Sequence, residues 1–140
     1  MIIDKAFKQL ILFYFGGMFY FGIELIARGY SHWTMFILGG VCFIMIGAVN
    51  EHISWEMPLT FQMLIGCVIV TVLEFITGIV VNVLLGWNVW DYSSEEWNVL
   101  GQICLKYSVY WYFLSVVAIV LDDLLRWIVF DEEKPRYKIF

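Results

Sequence analysis

One stretch limits what this chain can fold into more than any other. Residues 58–86 read PLTFQMLIGCVIVTVLEFITGIVVNVLLG, and Glu74 is the sole charge among them. About 20 apolar residues cross a bilayer core as a helix, and this run is longer than that. A water-soluble domain has no place for a helix that is apolar on nearly every side. Three further apolar segments, 9–28, 33–49 and 101–121, approach the same length. The whole chain is 62% hydrophobic and only 15% charged, with a mean hydropathy of +0.82. Soluble domains are about 45–50% apolar and about 25% charged. The predicted fold class is therefore all-α: a polytopic membrane protein, a four-transmembrane-helix bundle in a single membrane domain over 1–140, ending in an amphipathic and charged stretch at 122–140. The second span is short and the third long, which predicts tilt or a kink. Pro58 suits the first turn of the third helix.

The polar residues within these segments are ordered. Glu24 and Arg28 are four apart and share a helix face with Gly17 and Phe21. Thr71, Glu74, Gly78 and Asn82 form one stripe on the third span, and Ser108, Ser115, Asp122 and Arg126 form another on the fourth. Gly39, Gly40 and Gly47 give the second span a close-packing surface. Charged groups at bilayer depth cost at least about 2.5–3.5 kcal/mol and seek partners, so the stripes are expected to face one another with lipid outside. Glu24 has Arg28 as a same-helix cation, whereas Glu74 has none and needs a partner from elsewhere or a neutral form. Asp122, Asp123 and Arg126 read as interfacial, and the tail DEEKPRYK as a solvated end.

Lys5 and Lys8 precede the first span, and Arg126, Lys134, Arg136 and Lys138 follow the fourth, against Arg28 and Lys106 on the other side. The positive-inside bias then predicts cytoplasmic N- and C-termini in the cell membrane. Trp33, Trp55, Trp87, Trp90, Trp97 and Trp127 lie near span ends, as interfacial anchors do. The N-terminus has basic residues ahead of an apolar run, as a signal peptide does, but GIELIARG is a poor cleavage site, so the segment reads as a retained span. In this orientation Glu24 and Arg28 lie near the outer end and Glu74 nearer the middle. The loop 86–98 brings Trp90, Asp91 and Tyr92 to the mouth of the bundle. The candidate binding residues are thus Glu24, Arg28, Glu74, Trp90, Asp91 and Tyr92, in a site that opens outward.

Several chemistries are unsupported. A net charge of −5 and a pI near 4.8 argue against nucleic acid as a partner. Cys42, Cys67 and Cys104 lack metal-binding or redox spacing and read as core residues, and His32 and His52 are too far apart in loops to suggest a metal site. No G-x-x-x-x-G-K-[ST] is present. No catalytic constellation, metal or cofactor is predicted. A short echo between GIELIARG and VLEFITG leaves room for a parallel two-helix repeat.

LEFITG at 73–78, WDYS at 90–93 and GQICLKYSVYW at 101–111 together resemble the ABC-transporter type IV (CmpB-like) family, which includes eukaryotic transmembrane protein 229. The matching positions are Glu74, Phe75, Thr77 and Gly78, then Trp90, Asp91, Tyr92 and Ser93, then Gly101, Ile103, Leu105, Tyr107 and Trp111. Upstream, Glu24, Ser31, Trp33, Phe36 and Gly39 match as well. The chain departs from the pattern at Val89, Lys106 and Tyr110. The resemblance covers roughly residues 15–112 and implies a small multi-pass membrane protein. The first expectation for function is a transporter- or channel-like protein handling an ion or small solute at the carboxylate cluster as a homo-oligomer, with a dimer favoured. A non-catalytic scaffold or partner subunit of a larger complex stands second, and a lipid-modifying enzyme third.

Overall fold

The computed structural model describes residues 5–54 and 56–139, apart from the side chain of Asn50; Trp55 and its expected anchoring role lie outside these residues. Helix α1 runs Lys5–Arg28, α2 Trp33–His52, α3 Leu59–Gly78 and α4 Leu105–Ile128. A π-helical segment, Ile79–Leu84, continues α3 without a break. Three helical stretches are long and apolar enough to cross a membrane: Lys5–Arg28, Leu59–Leu84 and Leu105–Ile128. The apolar part of α2, Trp33–Val49, is shorter. The 26 residues of Leu59–Leu84 would measure roughly 39 Å at 1.5 Å per residue, beyond a core of about 30 Å. The excess length is wound into the wider π turns, where Leu85 N–H donates to Val80 O.

Helix α1 packs along α2, α3 packs along α4, and α2 joins the pairs by touching both α3 and α4. The termini meet at one end of the bundle, where Lys8 pairs with Glu132 and the backbone N–H of Leu59 donates to Lys138 O. The opposite end carries the short 29–32 turn and the long 85–104 loop. The His32 ring nitrogen accepts from Thr34 N–H at the start of α2. Pro58, expected in the first turn of α3, stands instead at its N-cap with an extended ψ of 137°.

Close approach rests on the glycines. A Cβ at Gly39 would strike the Tyr20 side chain, one at Gly17 the Phe36 carbonyl and ring, and one at Gly66 the Ser115 hydroxyl. The backbones of α1 and α2, and of α3 with α4, are therefore in near contact, the arrangement that drives helix association in lipid. The outward faces stay apolar and exposed, as Phe15, Leu64, Val68, Val72 and Phe113 illustrate.

The ends differ from the sequence-based expectation. The fourth helix does not begin at residue 101: Ile103–Cys104 pairs as a short antiparallel ribbon with Asn98–Val99, because Gly101 at φ 73° turns the chain back on itself. Trp90 is no interfacial anchor but is buried, with its indole N–H donating to Gln102 O. Asp122, Asp123 and Arg126 are not a bland interfacial group. Asp122 is 0% exposed, and Arg126 Nε lies 3.1 Å from its Oδ2 and 3.3 Å from Glu51 Oε1. The tail is also less free than its charge suggests. Tyr137 O–H donates to Asp123 Oδ2 at 2.6 Å, and Ile139 O accepts from Thr60 N–H. The first amides of a helix have no partner of their own, and the tail carbonyls supply one.

Two outcomes test this packing. Arg126→Met leaves Asp122 buried without its cation, so thermal melting in detergent should show a loss of about 3–5 kcal/mol, part of which Asp122→Asn restores. Gly39→Leu should destabilise by about 1–3 kcal/mol through overpacking. Gly22→Ala, whose Cβ meets nothing, should melt at the parental temperature or slightly above.

Candidate functional site

The site grows from the seam between α3 and α4. Successive polar positions of α3 meet small or polar groups of α4: Cys67 S–H donates to Ser108 O at 3.1 Å, and Thr71 Oγ1 lies 3.2 Å from Ser108 Oγ. One turn on, Glu74 is 1% exposed. Its Oε1 accepts from the Trp111 indole N–H at 3.3 Å and its Oε2 from the Tyr92 hydroxyl at 3.2 Å. Both donors are neutral, and among the described residues no cation pairs with this carboxylate. Glu74 lies ten residues before Leu84, roughly 15 Å below that end at 1.5 Å per residue.

On the other side of the cluster, Arg28 pairs with Glu24 of the same helix and donates through Nη1 to Val89 O at 3.3 Å. The guanidinium also lies over the Tyr30 ring, 4.6 Å from its centroid. The Glu24–Arg28 contact is close but poorly aligned as a hydrogen bond. Glu24 is near enough to Glu74 for the two charges to act on each other. Between them stands Tyr20, a residue absent from the candidates drawn from sequence. It is buried, edge-on to Trp111 with ring centroids 5.4 Å apart. Its hydroxyl is beside Glu24 and within electrostatic range of Glu74, at a geometry that completes no hydrogen bond. A tyrosine in a run of aromatic residues carries no signal of its own. Its helical spacing of four from Glu24, and eight from Arg28, is the signal that could have found it.

The 85–104 loop covers the cluster. Asn82, on the π-helical segment, holds it from below: Oδ1 accepts from Val89 N–H at 2.6 Å, and Nδ2 donates to Gln102 Oε1 at 2.8 Å. Gln102 in turn donates to Leu100 O, and Trp90 lies against Gly78, where a Cβ would come within 3.0 Å of its ring. Tyr92 is steadied by stacking on Tyr107 with centroids 4.8 Å apart. Burial, and then the Glu74 carboxylate beside it, push the Tyr92 hydroxyl above the usual phenol range, so it remains a donor. Asn88, Trp97 and Leu100 all adopt positive φ in this loop. Each such residue costs on the order of 1–3 kcal/mol and persists only where its surroundings fix it.

Of the six residues expected at the site, the structure brings Glu24, Arg28, Glu74 and Tyr92 together. Trp90 closes the cluster by packing rather than by touching a carboxylate. Asp91 stands apart: it is exposed and accepts from Ser93 N–H at 2.9 Å, a bond that holds its carboxyl below the usual range. The outward-opening mouth is not what is seen, since the loop folds over Glu74. At the other end, oxygens of Glu51, Asp122 and Asp123 lie within 4.8 Å of one another, but Arg126 already supplies a cation there.

The loop's hold gives a test. Asn82→Ala strands the Gln102 amide and the Val89 N–H, each a loss of about 1–3 kcal/mol when buried without a partner. Amide exchange across 86–104 should speed up while exchange in α1 and α2 is unchanged.

The family described as “Putative ABC-transporter type IV” matches residues 11–131. No curated protein and no solved structure matches the chain. The match takes in α1 from residue 11 onward, all of α2, α3 and α4, and the covering loop, and the apolar helices fit its membrane setting. The chain belongs to the ABC-transporter type IV family and is a multi-pass membrane protein.

Proposed function

We propose that this protein handles a proton or small cation at Glu74, as a transport component of the cell membrane. One observation carries the reading. Buried Glu74 and half-buried Glu24 share a cluster with a single guanidinium, and half-buried Arg28 is committed to Glu24. Two carboxylates and one cation leave one negative charge in a low-dielectric site, which is strongly unfavourable unless a proton or cation neutralises it. Glu74, Glu24, Tyr20 and Tyr92 offer the oxygens that would receive it. The covering loop then corresponds to an occluded state, and its opening exposes Glu74 on the side opposite the termini. With the termini in the cytoplasm, that side is the outer one. Four helices enclose little room, so the pathway is placed between protomers of a homo-oligomer, most simply a dimer.

A second reading, a scaffold or partner subunit, draws on how tightly the loop seals the cluster. It makes Glu74 a permanently neutral hydrogen-bond acceptor. Proteoliposomes separate the two. Under an imposed proton or monovalent-cation gradient, the wild type should dissipate the gradient faster than protein-free vesicles, and Glu74→Gln should reduce that rate at least ten-fold while keeping the same melting temperature. Equal rates for wild type, Glu74→Gln and empty vesicles would rule out transport and favour the scaffold.

A further inference from the structure

Helices α1 and α4 meet at two levels. Near the loop end they touch through Tyr20 and Trp111, and near the terminal end through the cluster of Leu12, Leu125 and Phe130. Between these levels they do not pack along each other as α1 does along α2 and α3 along α4. The gap is a half-open cavity of about 70 Å³, floored by Gly39 and Cys42 of α2 and walled on the inside by Ser115. Its wall is carbon almost throughout. Of the lining residues Tyr20, Cys42, Trp111 and Ser115 that carry polar atoms, Ser115 has its hydroxyl engaged, donating to Trp111 O at 2.7 Å. Water gains nothing in such a space, since a buried water needs two to four polar partners.

The cavity's rim is continuous with the lipid-facing surface. Phe15 and Phe19 of α1 and Phe113 and Val117 of α4 are exposed on either side of the gap. The helices carrying them are those long enough to cross the membrane, so the opening looks into hydrocarbon rather than water. A second copy's helix, a cylinder of about 10–12 Å with its side chains, is too wide to enter a cavity of about 70 Å³. A polymethylene chain is not, and it matches the wall chemically. We propose that this cavity binds the end of one acyl chain of a membrane lipid, entering sideways between α1 and α4. The chain would lie against Tyr20 and Trp111 from the side facing away from Glu74. The inference does not depend on ion handling at that carboxylate.

The full-length protein in vesicles of phosphatidylcholine carrying a diazirine near the acyl terminus provides the test. After irradiation, adducts are expected on Cys42 and Ser115, which are 6% and 2% exposed and beyond the reach of surrounding lipid. Outward residues Val68 and Val72 should be labelled too and serve as the internal control. In Ala118→Trp, which fills the cavity, the inward adducts should fall at least ten-fold while those at Val68 and Val72 persist. Leu114→Trp is the second filling variant should the first fail to fold. Labelling of Val68 and Val72 without Cys42 or Ser115 in the wild type would overturn the proposal, as would inward adducts that survive both fillings. A Phe113→Cys variant treated with a mild oxidant gives the second reading: a disulfide joining two copies at this seam would assign the face to a second protomer and overturn the proposal equally.

Discussion

A bilayer core offers no water to a carboxylate, so everything around Glu74 must do what solvent would otherwise do. Its two oxygens are satisfied by Trp111 from α4 and Tyr92 from the covering loop. Those two donors fix the rotation of α4 against α3 and the path of the loop between them. Small residues along the seam let the backbones come close enough for the bonds to form. Gly78 leaves room for Trp90 and Gln102, and Gly66 for Ser115. In lipid, where apolar surface has no reason to leave its surroundings, such bonds and close contacts are what hold helices together.

The two ends of the bundle solve the same problem differently. At the loop end, neutral amides do most of the work: Asn82 and Gln102 tie the loop's backbone to the last turns of the third span, and Arg28 adds a bond to Val89 O. The widened π turn is where Asn82 sits, and such turns recur at sites that must re-aim a side chain. At the terminal end the work is ionic. Arg126 gathers Asp122, Glu51 and Glu132, and Lys8 brings α1 into the same group. The loop end thus rests largely on amides, with Arg28 reaching Val89 O as a charged contact to the loop, while the terminal end is clamped by charges.

Much of the arrangement was legible in the residues. The stripe Thr71, Glu74, Gly78 and Asn82 does face α4 and the loop, and Gly39, Gly40 and Gly47 are indeed points of close approach. Periodicity gives the face of a helix, because a helix turns a fixed amount per residue. The loop was harder to read. Asp91 and Tyr92 are adjacent in sequence, yet one points to solvent and the other to Glu74, since Asp91 is spent on an amide two residues ahead. Tyr20 went unseen because it stands in a run of aromatics, and its spacing of four from Glu24 was the one cue that set it apart.

What the sequence determined by itself is the medium and the inward faces. Its apolar runs are too long for a water-soluble fold, and its few polar residues recur at spacings of three and four. What only the tertiary structure decided is which inward groups meet. Asp122 and Arg126 become a buried pair rather than an interfacial one because the tail and the end of α2 close over them. Glu74 is sealed rather than open because the 98–104 ribbon turns the loop back across the bundle. Spacing along one helix cannot specify the rotation of its neighbours or the return path of a loop, since both are set by contacts between residues far apart in the chain.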